Sequence, residues 1–129
     1  MMIGKLTRAA VAGAIALTVA GSVPAMAGDN DVIREGNCSG SSDWKLKLSP
    51  EDGRLEVEFE VDSNVVGQTW SVRILQNGSR IFSGNRVTRA PSGSFEVRRL
   101  ANNTAGTDSF RARAVNAATG ETCIGTASI

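Results

Sequence analysis

From Asp43 onward, apolar and polar residues alternate with a period of two, which is typical of β-strands with one buried and one solvated face. The clearest run is RLEVEFEV at 54–61, where apolar side chains alternate with Glu56, Glu58 and Glu60. No window after the first 27 residues shows the 3.6-residue period of an amphipathic helix. Similar alternating runs predict further strands at 44–49, 70–76, 94–100, 108–115 and 121–128, with another around Ile81.

Short turn motifs separate these runs. Pro50-Glu51-Asp52-Gly53 predicts a four-residue turn, because proline fixes φ and glycine accepts a positive φ. Asn77-Gly78 lies between two alternating runs and predicts a tight hairpin turn. About seven short strands, spaced near ten residues apart, predict an all-β fold built as a single two-sheet antiparallel sandwich.

The three glutamates at 56, 58 and 60 are either a site for acid–base or metal chemistry or the solvated side of a sheet. Across a four-residue turn, Lys47 is expected opposite Glu56, and Lys45 opposite Glu58, so counter-charges face the carboxylates. We therefore interpret this row as a solvated face. The same register pairs Leu48 with Leu55, Leu46 with Val57 and Trp44 with Phe59 on the inner side.

The charge and composition of the chain restrict its chemistry. The 129 residues include 14 basic and 13 acidic residues and no histidine. Without histidine the commonest catalytic triads, hydrolytic zinc sites and imidazole bases are excluded. We therefore expect no enzyme, no cofactor and no metal site. The near-neutral net charge also argues against nucleic acid as a partner.

The beginning of the chain has the organisation of a bacterial secretory signal peptide. Lys5 and Arg8 precede an alanine-rich apolar run, and Ala25-Met26-Ala27 is a small-x-small cleavage site. We expect a secreted, extracellular product without a membrane anchor after cleavage. The predicted segments are the signal peptide at 1–27, a flexible N-terminal arm at 28–42 and the sandwich at 43–129.

The chain contains two cysteines, Cys38 and Cys123. In an exported protein without histidine, a single disulfide is the simplest use of such a pair. A bridge between them closes a long loop and is expected to stabilise the fold by about 4–5 kcal/mol through chain entropy.

Residues 108–123, DSFRARAVNAATGETC, resemble the last hairpin of immunoglobulin-like and fibronectin type III-like domains. The resemblance implies such a sandwich over 43–129, with Trp44 or Trp70 as the core tryptophan. The chain has no tyrosine, so the tyrosine corner of those domains is missing. The whole chain also resembles small secreted actinobacterial proteins that have no assigned activity, and that family supplies no functional residues.

In the resembled domains, strands 70–76 and 108–115 lie in one sheet, which brings four arginines from three strands to one outer face. Such a patch predicts binding of an anionic polymer or an extracellular partner protein. The alternative is an ordinary solvated face whose charge is balanced by Glu121 and Asp108. The four arginines are Arg73, Arg80, Arg111 and Arg113.

Two further functions stay open as alternatives to a non-catalytic, monomeric binding or interaction module. The loop at 87–93 presents Arg89 before Ala90, which suits the specificity pocket of a trypsin-like protease and predicts a secreted protease inhibitor. A small-molecule carrier would instead need a cavity inside the sandwich, flanked by the small inward residues Ala112 and Ala114.

Overall fold

Eight β-strands form in the part of the chain that the computed structural model describes, which is residue 28 and residues 30–129. The predicted signal peptide at 1–27 lies outside these residues. Within the described residues there is no helix of the length and apolar character needed to cross a membrane. The strands are β1 (Val32–Asn37), β2 (Asp43–Glu51), β3 (Arg54–Asp62), β4 (Thr69–Gln76), β5 (Ser79–Val87), β6 (Ser94–Asn102), β7 (Ser109–Asn116) and β8 (Thr122–Ser128).

The strands build two antiparallel sheets of four strands each. Sheet I has the order β1-β2-β3-β6, and sheet II has the order β5-β4-β7-β8. The chain crosses between the sheets after β3, after β5 and after β6. The predicted all-β, two-sheet sandwich is therefore confirmed, with eight strands where about seven were expected.

The inward rows of the alternating strands form one core between the sheets. Trp70 is fully buried, and its ring centroid lies 6.2 Å from that of Phe95 in the opposite sheet. Trp70 is thus the core tryptophan, whereas Trp44 is only half-buried. The core also contains Leu46, Leu48, Val57, Phe59, Val61, Val72, Ile74, Val97 and Phe110.

The half-buried Trp44 fills the slot where the edge strands β1 and β8 approach each other. A Cβ atom placed on Gly36 of β1, or on Gly125 of β8, would lie 2.7 Å from an atom of the indole ring. Any larger residue at either glycine must displace the ring, because real Cβ contacts are not that short. Glycine at both positions therefore lets the sandwich close at this edge.

The turn between β2 and β3 is tighter than the sequence predicts. Glu51 pairs with Arg54, so Asp52 and Gly53 alone form the turn. Both have positive φ, at 51° and 79°, which is the geometry of the type I′ hairpin. That turn matches the right-handed twist of the flanking strands, and it extends both strands to the turn itself.

The two-residue turn corrects the predicted register of this hairpin by two residues. Lys47 lies opposite Glu58, and Lys45 lies opposite Glu60, instead of Glu56 and Glu58. Because the shift is even, every side chain keeps its face and only the partners change. The inner pairs become Leu48 with Val57, Leu46 with Phe59 and Trp44 with Val61.

Part of the segment at 28–42, which was expected to be a flexible arm, forms a strand of the sandwich. Val32–Asn37 forms β1, which pairs with β2 along its whole length. The predicted disulfide is confirmed: Cys38 follows β1 of sheet I, and Cys123 lies in β8 of sheet II. The alternation rule misses β1 because this edge strand is largely exposed and has no regular apolar row.

Candidate functional site

The four arginines singled out in the sequence lie on the outer face of sheet II. Arg73 of β4 is directly opposite Arg113 of β7. Leu75 is flanked by Arg111 of β7 on one side and by Arg80 of β5 on the other. All four side chains are exposed. We refer to Arg73, Arg80, Arg111 and Arg113 together as the arginine face.

A β-bulge is what brings Arg80 to this face. The register between β4 and β5 shifts between Ile74 and Leu75, so that Leu75 pairs with Arg80. In an unbroken ladder Leu75 would pair with Ile81, and Arg80 would fall in the row of the buried Gln76. Bulges commonly re-aim side chains in this way. The sequence placed Arg80 near the face but gave no indication of the bulge.

No acidic side chain accompanies the arginine face on its own sheet. The four strands of sheet II contain no aspartate or glutamate. In the part of the chain that the structure describes, none of the four guanidinium groups forms an ion pair or a side-chain hydrogen bond. Directly opposed side chains on neighbouring strands have Cβ atoms about 5 Å apart, so the Arg73–Arg113 pair brings like charges together.

Asp108, expected to balance the arginines, is instead a buried anchor for the loop after β6. Its carboxylate accepts hydrogen bonds from Gln76 Nε2 at 2.9 Å, Asn77 Nδ2 at 2.9 Å and Thr104 Oγ1 at 2.6 Å. Burial raises the pKa of Asp108, but the hydrogen bonds from Thr104, Gln76 and Asn77 outweigh burial and hold this pKa below its ordinary value. The carboxylate is therefore ionised and committed to the fold.

Glu121, the other expected counter-charge, is also committed elsewhere. Its carboxylate accepts hydrogen bonds from the backbone N–H of Gly40 at 3.1 Å and of Ser42 at 2.8 Å. It also accepts the hydroxyl of Ser42 at 3.0 Å. These contacts hold the loop beside the disulfide. Neither acid contacts the arginine face, so the predicted charge balance does not form.

The outer face of sheet I has the opposite character, because its charges are paired. Arg98 of β6 lies at the centre, with Nη1 2.6 Å from Glu56 and 3.6 Å from Glu58. Its Nη2 lies 3.9 Å from Glu96. Partial burial, together with Glu56 and Glu96, raises the pKa of Glu58 against the effect of Arg98. The structure thus places the glutamate row on a sheet face, and among the described residues no group of three acidic or cysteine side chains is arranged to hold a metal ion.

The loop before β6 presents Arg89 and Ala90 at the surface, as expected for the inhibitor alternative. Its backbone, however, is folded into a closed turn. The Arg89 carbonyl accepts hydrogen bonds from Gly93 N–H at 2.8 Å and Ser94 N–H at 3.3 Å, and the Arg89 N–H donates to the Ser94 carbonyl at 2.8 Å. The oxygen of the carbonyl group that a protease would attack therefore already accepts two hydrogen bonds within the turn.

The residues expected to flank a carrier cavity, Ala112 and Ala114, are fully buried within the core cluster.

Comparison of the chain with protein-family models, with curated proteins and with solved structures finds no match in any of the three. The geometry of the two outer faces is therefore the basis for assigning a function.

Proposed function

We propose that the protein is a secreted, non-catalytic binding module whose arginine face holds an extracellular anionic polymer. One observation carries this proposal: four exposed arginines share a sheet face with no acidic residue and no internal partner. A guanidinium group binds carboxylate, sulfate or phosphate through two parallel hydrogen bonds, which makes arginine suited to oxyanions.

The shape of the arginine face favours an extended ligand over a compact one. Arg111 and Arg113 are two residues apart on β7, which places their Cα atoms about 7 Å apart. Arg73 continues the row across to β4, opposite Arg113. A flat grid of cations at this spacing suits a chain of regularly placed anions. A bound polyanion would also relieve the repulsion between Arg73 and Arg113.

The remaining features fit the same proposal. The three crossings between the two antiparallel sheets, after β3, after β5 and after β6, support an immunoglobulin-like or fibronectin type III-like domain. In that assignment β1 is an added edge strand. The Cys38–Cys123 bridge supports an oxidising, extracellular location. The protease-inhibitor alternative is less favoured, because the Arg89 carbonyl is engaged inside its own turn.

Retention on immobilised dextran sulfate, measured over a range of salt concentrations, tests the proposal. We expect retention to fall steeply as salt rises, because counterions screen exposed charges. The double variant Arg111→Ser with Arg113→Ser should bind at least about tenfold more weakly, since each charged hydrogen bond contributes about 1.5–3 kcal/mol.

The matched control removes two exposed arginines outside the arginine face, by Arg54→Ser with Arg89→Ser. It lowers the net charge by the same amount and should change retention by less than about twofold. Equal losses in the two double variants, or retention that does not respond to salt, would contradict the proposal. Stoichiometric inhibition of trypsin that disappears with Arg89→Ala would favour the inhibitor instead.

A further inference from the structure

A groove of about 710 Å³ opens at one end of the arginine face, beside the turn between β4 and β5. Two arginines line it: Arg111 of the arginine face, and Arg34 of β1, which belongs to sheet I. The volume lies within the range of about 300–1,000 Å³ that is usual for small-molecule sites. The half-buried Leu75 supplies apolar surface, and Ser109, Thr126 and Ser128 supply hydroxyl groups.

Arg34 reaches this groove because β1 is the edge strand next to β8. In the β1–β2 register Arg34 lies opposite Leu46, whose side chain is buried. Arg34 nevertheless remains exposed, since the edge of the sandwich leaves room for a long side chain to extend outward. Its guanidinium donates to the carbonyl of the adjacent Ile33 at 3.0 Å, and it forms no ion pair with a described residue.

The polar groups of the groove are suited to a ligand that combines negative charge with hydroxyls. No acidic residue lines it, so an anion meets two cations and no repulsion. The Ser109 and Ser128 hydroxyls lie 3.1 Å apart and are hydrogen-bonded to each other. Each hydroxyl keeps further capacity to donate or accept, as does that of Thr126. The apolar surface of Leu75 beside these polar groups suits a pyranose ring, which has both apolar C–H surface and hydroxyl groups.

We infer that the groove is the subsite that recognises one acidic sugar unit of the polymer, through the juxtaposition of Arg34 with Arg111 beside three hydroxyl side chains. The oxyanion of the sugar, a carboxylate or a sulfate, binds the two arginines. The ring hydroxyls bind Ser109, Thr126 and Ser128. This inference rests on the proposed function, and it deepens that function by naming an acidic polysaccharide as the polymer.

Three soluble probes separate sugar recognition from charge: dextran sulfate, polygalacturonate and inorganic polyphosphate. Arg34→Ser should weaken binding of at least one polysaccharide about tenfold, and should weaken polyphosphate binding no more than the control Arg54→Ser does. Arg54 is a suitable control because it is also exposed and also donates to a backbone carbonyl, that of Leu100 at 3.3 Å. The more sensitive polysaccharide identifies the oxyanion as sulfate or carboxylate.

Thr126→Val removes one hydroxyl and leaves both the charge and the side-chain shape nearly unchanged. It should weaken binding of the same polysaccharide about fivefold and leave polyphosphate binding unaffected. The thermal unfolding midpoint of each variant shows whether the fold is retained.

Equal losses with all three probes would overturn the sugar subsite, while the arginine face would stand as a binding surface. No loss with any probe in the Arg111→Ser, Arg113→Ser double variant would overturn the proposed function itself.

Discussion

The two outer faces of the sandwich are both formed by four-stranded antiparallel sheets, but the charges are paired on one face and unpaired on the other. On sheet I, Arg98 lies within 4 Å of three glutamates, and Lys45 and Lys47 stand opposite two acids of β3. On sheet II the arginine face has no acid on any strand. Folding alone does not require this difference, because paired charges, as on sheet I, also give a sheet a polar face that water can solvate. The unpaired face is therefore the one to which we assign binding.

The largest expected effect on stability comes from removing the disulfide that links the two sheets. Cys38 follows β1 of sheet I, and Cys123 lies in β8 of sheet II, at a sequence separation of 85 residues. Replacing both cysteines by serine should lower the free energy of unfolding by about 4–5 kcal/mol, because the open chain gains entropy when it unfolds. Chemical denaturation of both proteins measures the loss. A midpoint unchanged by the double replacement would mean that the core alone fixes the two sheets together.

In sheet I, a substitution in the core should destabilise the protein more than a substitution on the outer face. Leu46→Ala removes a fully buried side chain and should cost about 2–5 kcal/mol. Lys45→Glu reverses a charge on the outer face opposite Glu60, and like charges across strands should cost at most about 1 kcal/mol. Urea titrations of the two variants compare them directly. A larger loss for the charge reversal would contradict the inside–outside assignment of β2.

Local sequence patterns predict most of the sandwich. Alternation located seven of the eight strands and assigned their faces, and the expectation of export, together with two cysteines, predicted the disulfide. The β2–β3 register differs from the prediction because Asp52-Gly53 alone forms a two-residue turn, whereas the prediction places these two residues in a four-residue turn. The alternation on either side of the turn is the same in both registers, so it could not decide between them.

Contacts between distant strands were the part that the sequence could not supply. The pairing of β3 with β6 places Arg98 among the glutamates, and no local pattern indicates that pairing. The hydrogen bond that Gln76 donates to Asp108, 32 residues further along the chain, is likewise a contact between distant parts of the sequence. Arg34 joins the groove only because β1, expected to be a flexible arm, is an edge strand beside β8.

Asp108 makes the stability of the fold depend on pH. Its pKa in the folded protein is lowered from the ordinary value of 3.8, so its contribution to stability is complete above that pH. The contribution is lost as pH falls below 3.8 and through the lowered value, because the unfolded chain then binds the proton more readily. Asp108→Asn should cost about 2–3 kcal/mol at pH 7, since an amide group cannot accept all of the hydrogen bonds.

Thermal unfolding of the wild-type protein and of Asp108→Asn at pH 7 and at pH 2 measures this dependence. The difference between them should be large at pH 7 and smaller at pH 2. The matched control is Asp43→Asn, which changes an exposed aspartate at the start of β2. A difference between wild type and Asp108→Asn that stays constant with pH would show that Asp108 is not ionised in the fold.

The smallest expected effect on stability is the sharpest test of the comparison between the faces. Arg113→Glu places a carboxylate directly opposite Arg73 and so gives sheet II the kind of pair that sheet I already has. The free energy of unfolding should rise by about 0.2–1 kcal/mol, because an attractive cross-strand pair replaces a repulsive one. Retention on dextran sulfate should fall at least about tenfold in the same variant.

The mirror-image change is Glu58→Arg, which sets a new cation opposite Lys47 and Arg98 on sheet I. It should lower stability modestly and leave polymer binding intact or slightly stronger, since the added positive charge lies on the other face. A gain in stability coupled to a loss of binding is expected where a surface is kept for its ligand at a cost to the fold. If Arg113→Glu instead destabilised the protein, the arginines would themselves contribute to the stability of the fold. Their lack of acidic partners would then no longer mark sheet II as the binding face.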